Sequence, residues 1–288
     1  IEKLIKEGVD VFRINFSHAD YEDASARIKL IRSISHKLKI HVSILADLQG
    51  PKLRIGEIED NSIVEEGQFV VFSSSKPFIG NSKKAYMNYK NFASDVSIGE
   101  IILLDDGKLI FKVIDTDKKN NVTAQVIQGG HFKSNKGVNL PNTEISLPAL
   151  TKKDIKDAIF AVEQEVDWIA LSFVRKKEDL IKLRELIEKF SNHKIPIISK
   201  IEKPEALKNI SEIIKNSDGL MVARGDLGVE IPAAEVPLIQ KQLVLEAKKA
   251  RIPIIIATQM METMINSRTA TRAEVNDVAN SVMDGADA

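Results

Sequence analysis

The residues that could do chemistry stand where short apolar runs of the sequence end. Arg13, Asn15 and Ser17 alternate at the end of the first run, so a β-strand there would place their side chains on one face. Lys200 and Glu202 stand in the same relation at the end of a later run. Cationic groups beside a carboxylate at one end of a sheet could bind an anionic substrate and a divalent cation together.

Other apolar runs also end in polar groups. Asp47 follows the second run, Asp226 follows the fifth, and Thr258 follows the sixth. Two carboxylates, Glu202 and Asp226, suit Mg²⁺, a hard cation that takes few protein oxygens, and the planar guanidinium of Arg13 suits a phosphate. Each group alone has a structural explanation, such as a surface ion pair or a strand terminus. Their recurrence at strand ends favours a binding site.

The polar residues can lie together only if the strands that precede them form one sheet. Strand-like segments do alternate with helical ones along the sequence. Runs that are apolar on both faces predict buried parallel strands at 9–16, 40–46, 168–173, 195–201, 219–223 and 252–257. Amphipathic patterns predict helices at 21–38, 152–165, 176–190, 204–214, 236–250 and 271–283. The alternation indicates an α/β protein, either a barrel or an open doubly wound sheet. In a (β/α)₈ barrel the active site lies at the C-terminal ends of the strands.

Residues 51–141 interrupt this alternation because they lack convincing helical periodicity. Apolar runs at 69–72, 101–104, 109–114 and 122–127 are separated by turn signals, and the second and third predict a β-hairpin. We therefore predict an inserted all-β domain at 51–141, between a first barrel part at 1–50 and a second at 142–288. Both ends of the insertion emerge after one strand, so it could be a lid; the alternative is an insertion without that role.

Composition excludes several classes of protein. Lys plus Arg and Asp plus Glu each number 41, so no net basic field favours nucleic acid or an anionic membrane. The absence of cysteine excludes disulfides and thiolate zinc sites, and no apolar stretch approaches the length of a transmembrane helix. With no secretory signal at the start, a cytoplasmic location is expected. The chain begins inside a helical pattern and stops where another strand is expected, which predicts a piece of a longer protein.

Several segments together resemble the pyruvate kinase family, in order and throughout the chain. They are 13–18 (RINFSH), 46–54 (ADLQGPKLR), 136–141 (KGVNLP), 198–202 (ISKIE), 223–230 (ARGDLGVE), 257–260 (ATQM) and 271–274 (TRAE). The resemblance implies a partial (β/α)₈ TIM barrel without its first and last strands, with the β lid inserted. It also implies a homotetrameric parent protein.

The family transfers the phosphoryl group of phosphoenolpyruvate to ADP, giving pyruvate and ATP, and the resemblance implies roles for the strand-end residues. Glu202 and Asp226 would bind Mg²⁺, or Mn²⁺ in its place. Arg13 would bind the transferring phosphoryl group. Lys200 would stabilise the enolate as a preorganised positive charge.

Further roles follow from the same resemblance. The backbone amides of Gly225 and Asp226 and the hydroxyl of Thr258 would bind the substrate carboxylate. Thr258 is also a candidate for proton transfer to the enolate, whose proton donor the sequence leaves open. The positions that match the nucleotide side of the site are Asn15, His18, Arg54 and Lys136.

Many members of the family need K⁺, which is held at positions matching Asn15, Ser17, Asp47 and the main-chain carbonyl of Leu48. Those members commonly carry Thr at the position of Leu48 and Glu at that of Lys52. The ammonium group of Lys52 could supply the charge of the ion, so the sequence resembles the K⁺-independent branch. The alternative is that Lys52 is a solvated residue near the lid.

Two other functional interpretations remain open. Another Mg²⁺-dependent enzyme acting on phosphoenolpyruvate or pyruvate, an aldolase or a lyase, would share the carboxylates and the enolate. It would not explain Arg54, Lys136 or a lid. The second interpretation is that the 288-residue chain by itself is an inactive fragment.

Overall fold

The computed structural model of the chain describes residues 1–17 and 20–288, so His18 lies outside the described residues. The chain packs as two compact units. The first unit comprises Ile1–Pro51, Pro148–Gly225 and Pro237–Ala288, and the second comprises Lys52–Leu147 and Asp226–Val236.

Strands and helices are numbered in chain order. The strands are β1 (Val11–Asn15), β2 (Ser43–Asp47), β3 (Ile63–Val64), β4 (Phe69–Ser73), β5 (Lys84–Tyr86), β6 (Ile101–Leu104), β7 (Leu109–Thr116), β8 (Asn121–Gln128), β9 (Gly130–His131), β10 (Val138–Asn139), β11 (Trp168–Leu171), β12 (Ile197–Ile201), β13 (Gly219–Ala223) and β14 (Ile254–Ala257). The helices are α1 (Glu2–Lys6), α2 (Tyr21–Leu38), α3 (Phe92–Asp95), α4 (Lys152–Glu163), α5 (Lys177–Phe190), α6 (Pro204–Lys208), α7 (Ile210–Asn216), α8 (Arg224–Glu230), α9 (Val236–Ala250) and α10 (Arg272–Asp284). Short 3₁₀ turns occupy Ala233–Glu235 and Glu262–Ile265.

The first unit contains a six-stranded sheet in the order β1-β2-β11-β12-β13-β14. Every neighbouring pair in it is parallel, so the predicted α/β alternation is confirmed. Strand β2 begins three residues after the predicted start. The cause is the end of α2: Lys39 is left-handed and the Ile40 N–H bonds to the Ser35 carbonyl, so this segment closes the helix before the strand begins.

The helix predicted at 204–214 divides into α6 and α7. The break falls at Asn209, whose N–H bonds to Ala206, three residues back, as in a tightened turn. Its side chain donates to the Arg175 carbonyl at 2.9 Å, which fixes the break against the segment after β11. Sequence periodicity spans this position because buried apolar residues occur on both sides of it at helical spacing, Ala206 in α6 and Ile213 in α7.

Side-chain caps set the starts of α4 and α10 in the first unit. A capping box of Thr151 and Asp154 begins α4, and a second one, Thr271 with Glu274, begins α10. Gly285, the residue that follows α10, is left-handed at φ +95° and closes the helix. Among the helices of the described residues, none has the length and apolar character needed to cross a membrane.

The second unit is built mainly of β-structure. Its larger sheet has the order β10-β6-β7-β8-β4-β5, and the predicted hairpin is the antiparallel pair β6–β7. Edge-to-face contacts of Phe72 with Phe92 and Phe111 mark its core. The segment was expected to lack helices, yet Phe92 lies in α3, a single turn too short to show periodicity.

Asp154 joins the start of α4 to the loop that follows β2. The carboxylate is fully buried; Oδ2 accepts the Thr151 N–H at 2.9 Å and Oδ1 accepts the Gly50 N–H at 3.0 Å. We expect Asp154→Ala to lower the free energy of unfolding by about 2–4 kcal/mol, because it removes a cap and leaves a buried N–H without an acceptor. Denaturant unfolding measures this loss.

The exposed Asp10, whose side chain makes no hydrogen bond or ion pair within the described ranges, provides the matched control. Asp10→Ala is expected to change the unfolding free energy by less than about 0.5 kcal/mol. Equal losses in the two variants would contradict the role given to Asp154.

Candidate functional site

One face of the parallel sheet carries an apolar layer with polar groups above it. Leu45, Ala170, Ile198 and Met221 form a buried cluster on that face. Side chains two residues apart on a strand share a face. In three of the strands, the residue two positions after the apolar one is polar and lies near the C-terminal end of the strand. These polar residues are Asp47, Ser172 and Lys200.

Lys200 lies at the centre of the polar groups in the first unit. Its Nζ is 3.1 Å from Asp47 Oδ1, 3.1 Å from Glu202 Oε1 and 2.7 Å from Ser172 Oγ. The Lys200 side chain is 12% exposed, and the two carboxylate side chains are 2% and 1% exposed. An ammonium group has three N–H donors, and here each faces an oxygen acceptor.

The two carboxylates keep Lys200 positively charged. Burial by itself lowers the pKa of the ammonium, but the charges of Glu202 and Asp47 outweigh burial and raise the pKa above its usual value. A lysine in this state acts as a fixed positive charge, whereas a proton-transfer lysine needs a depressed pKa.

Arg13 reaches the same cluster from β1. Its Nε donates to Asp47 Oδ2 at 2.6 Å, so Asp47 contacts both cations. Half of the Arg13 side chain is exposed, which leaves the outer edge of the guanidinium accessible to an anion. Of the four residues expected to lie together, Arg13, Lys200 and Glu202 are therefore linked within the first unit. The fourth, Asp226, belongs to the second unit.

The carboxylate of Glu202 is also held by the turn after β11. Its Oε2 accepts the Phe173 N–H at 2.8 Å, and Phe173 is left-handed at φ +54°. Gly50 packs on this turn with φ +71°, and a Cβ there would stand 2.7 Å from the Phe173 ring. The loops after β2 and β11 thus support each other at the sheet's polar end.

Gly225 and Thr258 are brought together at the ends of β13 and β14. The Gly225 N–H donates to Thr258 Oγ1 at 2.9 Å, and Thr258 is left-handed at φ +70°. Both groups were expected to bind a substrate carboxylate; here they bind each other. Arg224 fixes the turn, since its Nη2 donates to the Thr258 carbonyl at 2.8 Å and its Nη1 pairs with Asp277 at 2.6 Å.

Asp226 lies in the first turn of α8 and belongs to the second unit. It is half-buried, and its carboxylate makes no hydrogen bond or ion pair with any of the residues that the structure describes. Its oxygens are therefore available to a ligand. Within residues 1–17 and 20–288 there is no group of three or more His, Asp or Glu side chains that could hold a metal ion.

The residues matching a K⁺ site have protein partners. Asn15 Oδ1 accepts the Ser17 N–H at 3.0 Å, and the Leu48 carbonyl accepts the Ser172 hydroxyl at 2.6 Å. Asp47 is paired with cations, as described above. Lys52 is exposed, and its ammonium makes no ion pair among the described residues.

The described nucleotide-side candidates of the second unit are held by neighbours in that unit. Arg54 Nη1 donates to the Asn135 carbonyl at 2.8 Å, and Lys136 pairs with Asp105 at 2.9 Å. The hydrogen bond from Lys136 is the main cause that lowers the pKa of Asp105. His18, the remaining candidate on this side, lies outside the described residues.

Comparison with known proteins identifies the family. A family model described as "Pyruvate kinase, barrel domain" matches residues 1–288, the whole chain. The chain belongs to the pyruvate kinase family. A pyruvate kinase of Staphylococcus haemolyticus is 44% identical over 290 residues, and one of Bacillus licheniformis is 45% identical over 289 residues. A solved pyruvate kinase structure from Cryptosporidium parvum superposes with a TM-score of 0.95 at 36% identity, over 99% of this chain and 60% of that one.

The family membership confirms the resemblance found in the sequence and the assignment of a barrel domain. Both bacterial pyruvate kinases match 100% of this chain, which covers 49% of their length. The chain therefore spans about half the length of these relatives.

One segment of the pyruvate kinase resemblance has a structural explanation. Glu274, the last residue of 271–274, caps α10 and also accepts the backbone N–H and the hydroxyl of Thr263, at 2.7 and 2.5 Å. These hydrogen bonds, that of the Thr263 hydroxyl first, lower the pKa of Glu274 to about 2. Glu274 thus joins the 3₁₀ turn after β14 to α10.

Sequence reasoning missed the contacts of the turn after β11. Ser172 stands near the end of the third apolar run, but nothing in its residue type indicates that its hydroxyl contacts both Lys200 and Leu48. The backbone N–H of Phe173 could not be found from the sequence at all, because its role depends on a left-handed φ rather than on a side chain.

Proposed function

We propose that the full-length protein catalyses phosphoryl transfer from phosphoenolpyruvate to ADP, giving pyruvate and ATP. The observation that carries the proposal is Lys200, a buried and positively charged ammonium set between Asp47 and Glu202. Such a charge is suited to an anion that develops during a reaction. Membership of the pyruvate kinase family supplies the reaction class.

The two cations have separate roles in this reaction. Arg13, with its side chain half exposed, binds the phosphoryl group of phosphoenolpyruvate. Lys200 stabilises the negative charge that grows on the enolate oxygen as the bond to phosphorus breaks. Asp47 holds both cations in place from β2, so they meet the substrate already oriented.

The carboxylate chemistry fits a divalent cation. The Glu202 side chain is 1% exposed, and the carboxylate of Asp226 is unpartnered within the described chain; both carboxylates can offer oxygen ligands. We assign Mg²⁺, or Mn²⁺ in its place, to these two residues. The metal supplies Lewis-acid stabilisation of negative charge when bound.

The remaining assignments follow the family motifs. The Gly225 and Asp226 amides and the Thr258 hydroxyl bind the substrate carboxylate, which would replace the present bond between Gly225 and Thr258. Thr258 is also the candidate for proton transfer to the enolate. The ADP side of the site is assigned to Asn15, His18, Arg54 and Lys136.

Residues 51–141 are proposed as a lid domain between the barrel parts 1–50 and 142–288. Closure of a lid would exclude water from the enolate and from the transferring phosphoryl group. Within the second unit, the pairing of β6 with β7 and the apolar core make this segment suitable to move as one body. A cytoplasmic homotetramer is proposed from family membership.

The test is a comparison of two reactions in the purified full-length protein. With Mg²⁺, phosphoenolpyruvate and ADP, we expect pyruvate to form only when ADP is present. The competing aldolase or lyase interpretation predicts release of pyruvate from a longer 2-oxo acid without ADP. Retro-aldol cleavage in place of ADP-dependent pyruvate formation would contradict the proposal.

A further inference from the structure

We propose that Ser172 is a positioning residue that fixes the ammonium group of Lys200 for catalysis. This inference rests on the proposed phosphoryl transfer and adds a residue to it. Ser172 is 2% exposed and lies directly after β11. Its hydroxyl is within hydrogen-bond distance of the Lys200 ammonium on one side and of the Leu48 carbonyl on the other.

The direction of the two hydrogen bonds of Ser172 follows from which of the three groups carry a proton to donate. A carbonyl oxygen can only accept, so the hydroxyl proton of Ser172 points to the Leu48 oxygen at 2.6 Å. Ser172 Oγ then has only lone pairs to offer Lys200 Nζ, which is 2.7 Å away. The Leu48 carbonyl therefore fixes the hydroxyl as an acceptor and aims it at the ammonium.

Ser172 differs from the other two partners of Lys200 because it is neutral. Asp47 and Glu202 fix the ammonium but also compensate its charge, which reduces the field that an enolate would experience. Ser172 restrains Nζ without adding negative charge. It can also keep that position when a substrate or a cation draws a carboxylate away from Lys200.

The surrounding backbone makes Ser172 a rigid support. The left-handed Phe173 follows it, and the Cβ that an alanine would add at Gly50 would stand 3.0 Å from Ser172 Cβ. Gly50 is in turn tied to Asp154 through its N–H at 3.0 Å. The hydroxyl therefore has little freedom to leave Lys200.

Three variants of the full-length protein test the inference. Ser172→Ala removes the hydroxyl, and Ser172→Cys keeps nearly the same volume with a weak hydrogen-bonding group, so it separates hydrogen bonding from packing. Ser199→Ala is the matched control. Ser199 is also fully buried and precedes Lys200, but its hydroxyl contacts Ser217 Oγ at 2.6 Å.

We expect Ser172→Ala and Ser172→Cys to lower kcat by about 10- to 100-fold. This factor corresponds to the loss of one hydrogen bond to a charged group from the stabilisation of the transition state. The KM for phosphoenolpyruvate should change less than about threefold, since the loss concerns charge that develops in the transition state. Deuterium exchange into the methyl group of pyruvate, followed by NMR with Mg²⁺ and ATP, should slow by a similar factor because exchange requires the enolate. Ser199→Ala should keep kcat within about twofold.

The outcomes separate this inference from the proposed function. A wild-type protein that forms no pyruvate from phosphoenolpyruvate and ADP contradicts the function itself. An active wild-type protein with wild-type kcat in Ser172→Cys overturns the role of the hydroxyl. Equal losses of kcat in Ser172→Ala and Ser199→Ala, at equal losses of melting temperature, overturn it as well, because they indicate a general effect of packing.

Discussion

Replacement of Lys200 by Met in the full-length protein is expected to lower turnover by at least about 10²- to 10³-fold, the usual loss for one transition-state charge partner. The ammonium is held 3.1 Å from each of two carboxylates, and Met keeps much of the side-chain length without the charge. Affinity for phosphoenolpyruvate should fall less than turnover, because enolate charge develops mainly in the transition state. Steady-state kinetics with varied phosphoenolpyruvate separate the two quantities.

The same substitution at Lys194 gives a matched control. Lys194 stands shortly before β12, its side chain is 68% exposed, and its ammonium pairs with Asp218. Lys194→Met should leave turnover within about twofold of the wild type. If Lys200→Met raises KM while turnover holds, Lys200 is a binding residue only, and its assignment as the enolate stabiliser is wrong.

We expect Lys52→Glu to make turnover by the full-length protein depend on K⁺, and we expect the unmodified protein to turn over without it. The ammonium of Lys52 would take the part of the ion, and at ~4 Å with an effective dielectric constant near 20 a unit charge contributes about 4 kcal/mol to the binding of an opposite charge. The structure adds one reason: Asp47, which matches a K⁺ ligand, already pairs with Arg13 and Lys200. Turnover in tetramethylammonium buffer, with and without KCl, measures the dependence.

Lys76→Glu controls for the change of charge. Lys76 is an exposed lysine of the second unit whose ammonium has no ion pair in the described part of the chain. The Lys76→Glu substitution should leave turnover independent of K⁺. A large activation of the unmodified protein by K⁺ would show that Lys52 is a solvated residue and does not replace the ion.

The parallel sheet could be predicted because its strands are buried on both faces. An uninterrupted apolar run such as 219–223 leaves little choice of structure, and it coincides with β13. Strand ends were less certain where a helix closes with apolar residues, as at Ile40 before β2. The one-turn helix at Phe92 could not be predicted, since four residues carry no periodicity.

The positions of the charged side chains in the candidate site could be predicted from the sequence, but the contacts of its backbone N–H groups could not. Alternation along a strand placed Lys200 and Glu202 on one face, and ion pairing follows from their charges. The Gly225 N–H and the Phe173 N–H act through backbone geometry, which depends on left-handed residues after β11 and β14. Such conformations arise from tertiary packing, and at Phe173 the residue type disfavours them.

The measurement that tests the central claim most directly is ³¹P NMR of the full-length protein with Mg²⁺, phosphoenolpyruvate and ADP. We expect the phosphoenolpyruvate signal to fall as the γ-phosphorus signal of ATP rises in a one-to-one ratio, since the phosphoryl group passes directly to ADP. Release of inorganic phosphate in place of ATP, or no loss of phosphoenolpyruvate at all, would contradict phosphoryl transfer as the function of this site.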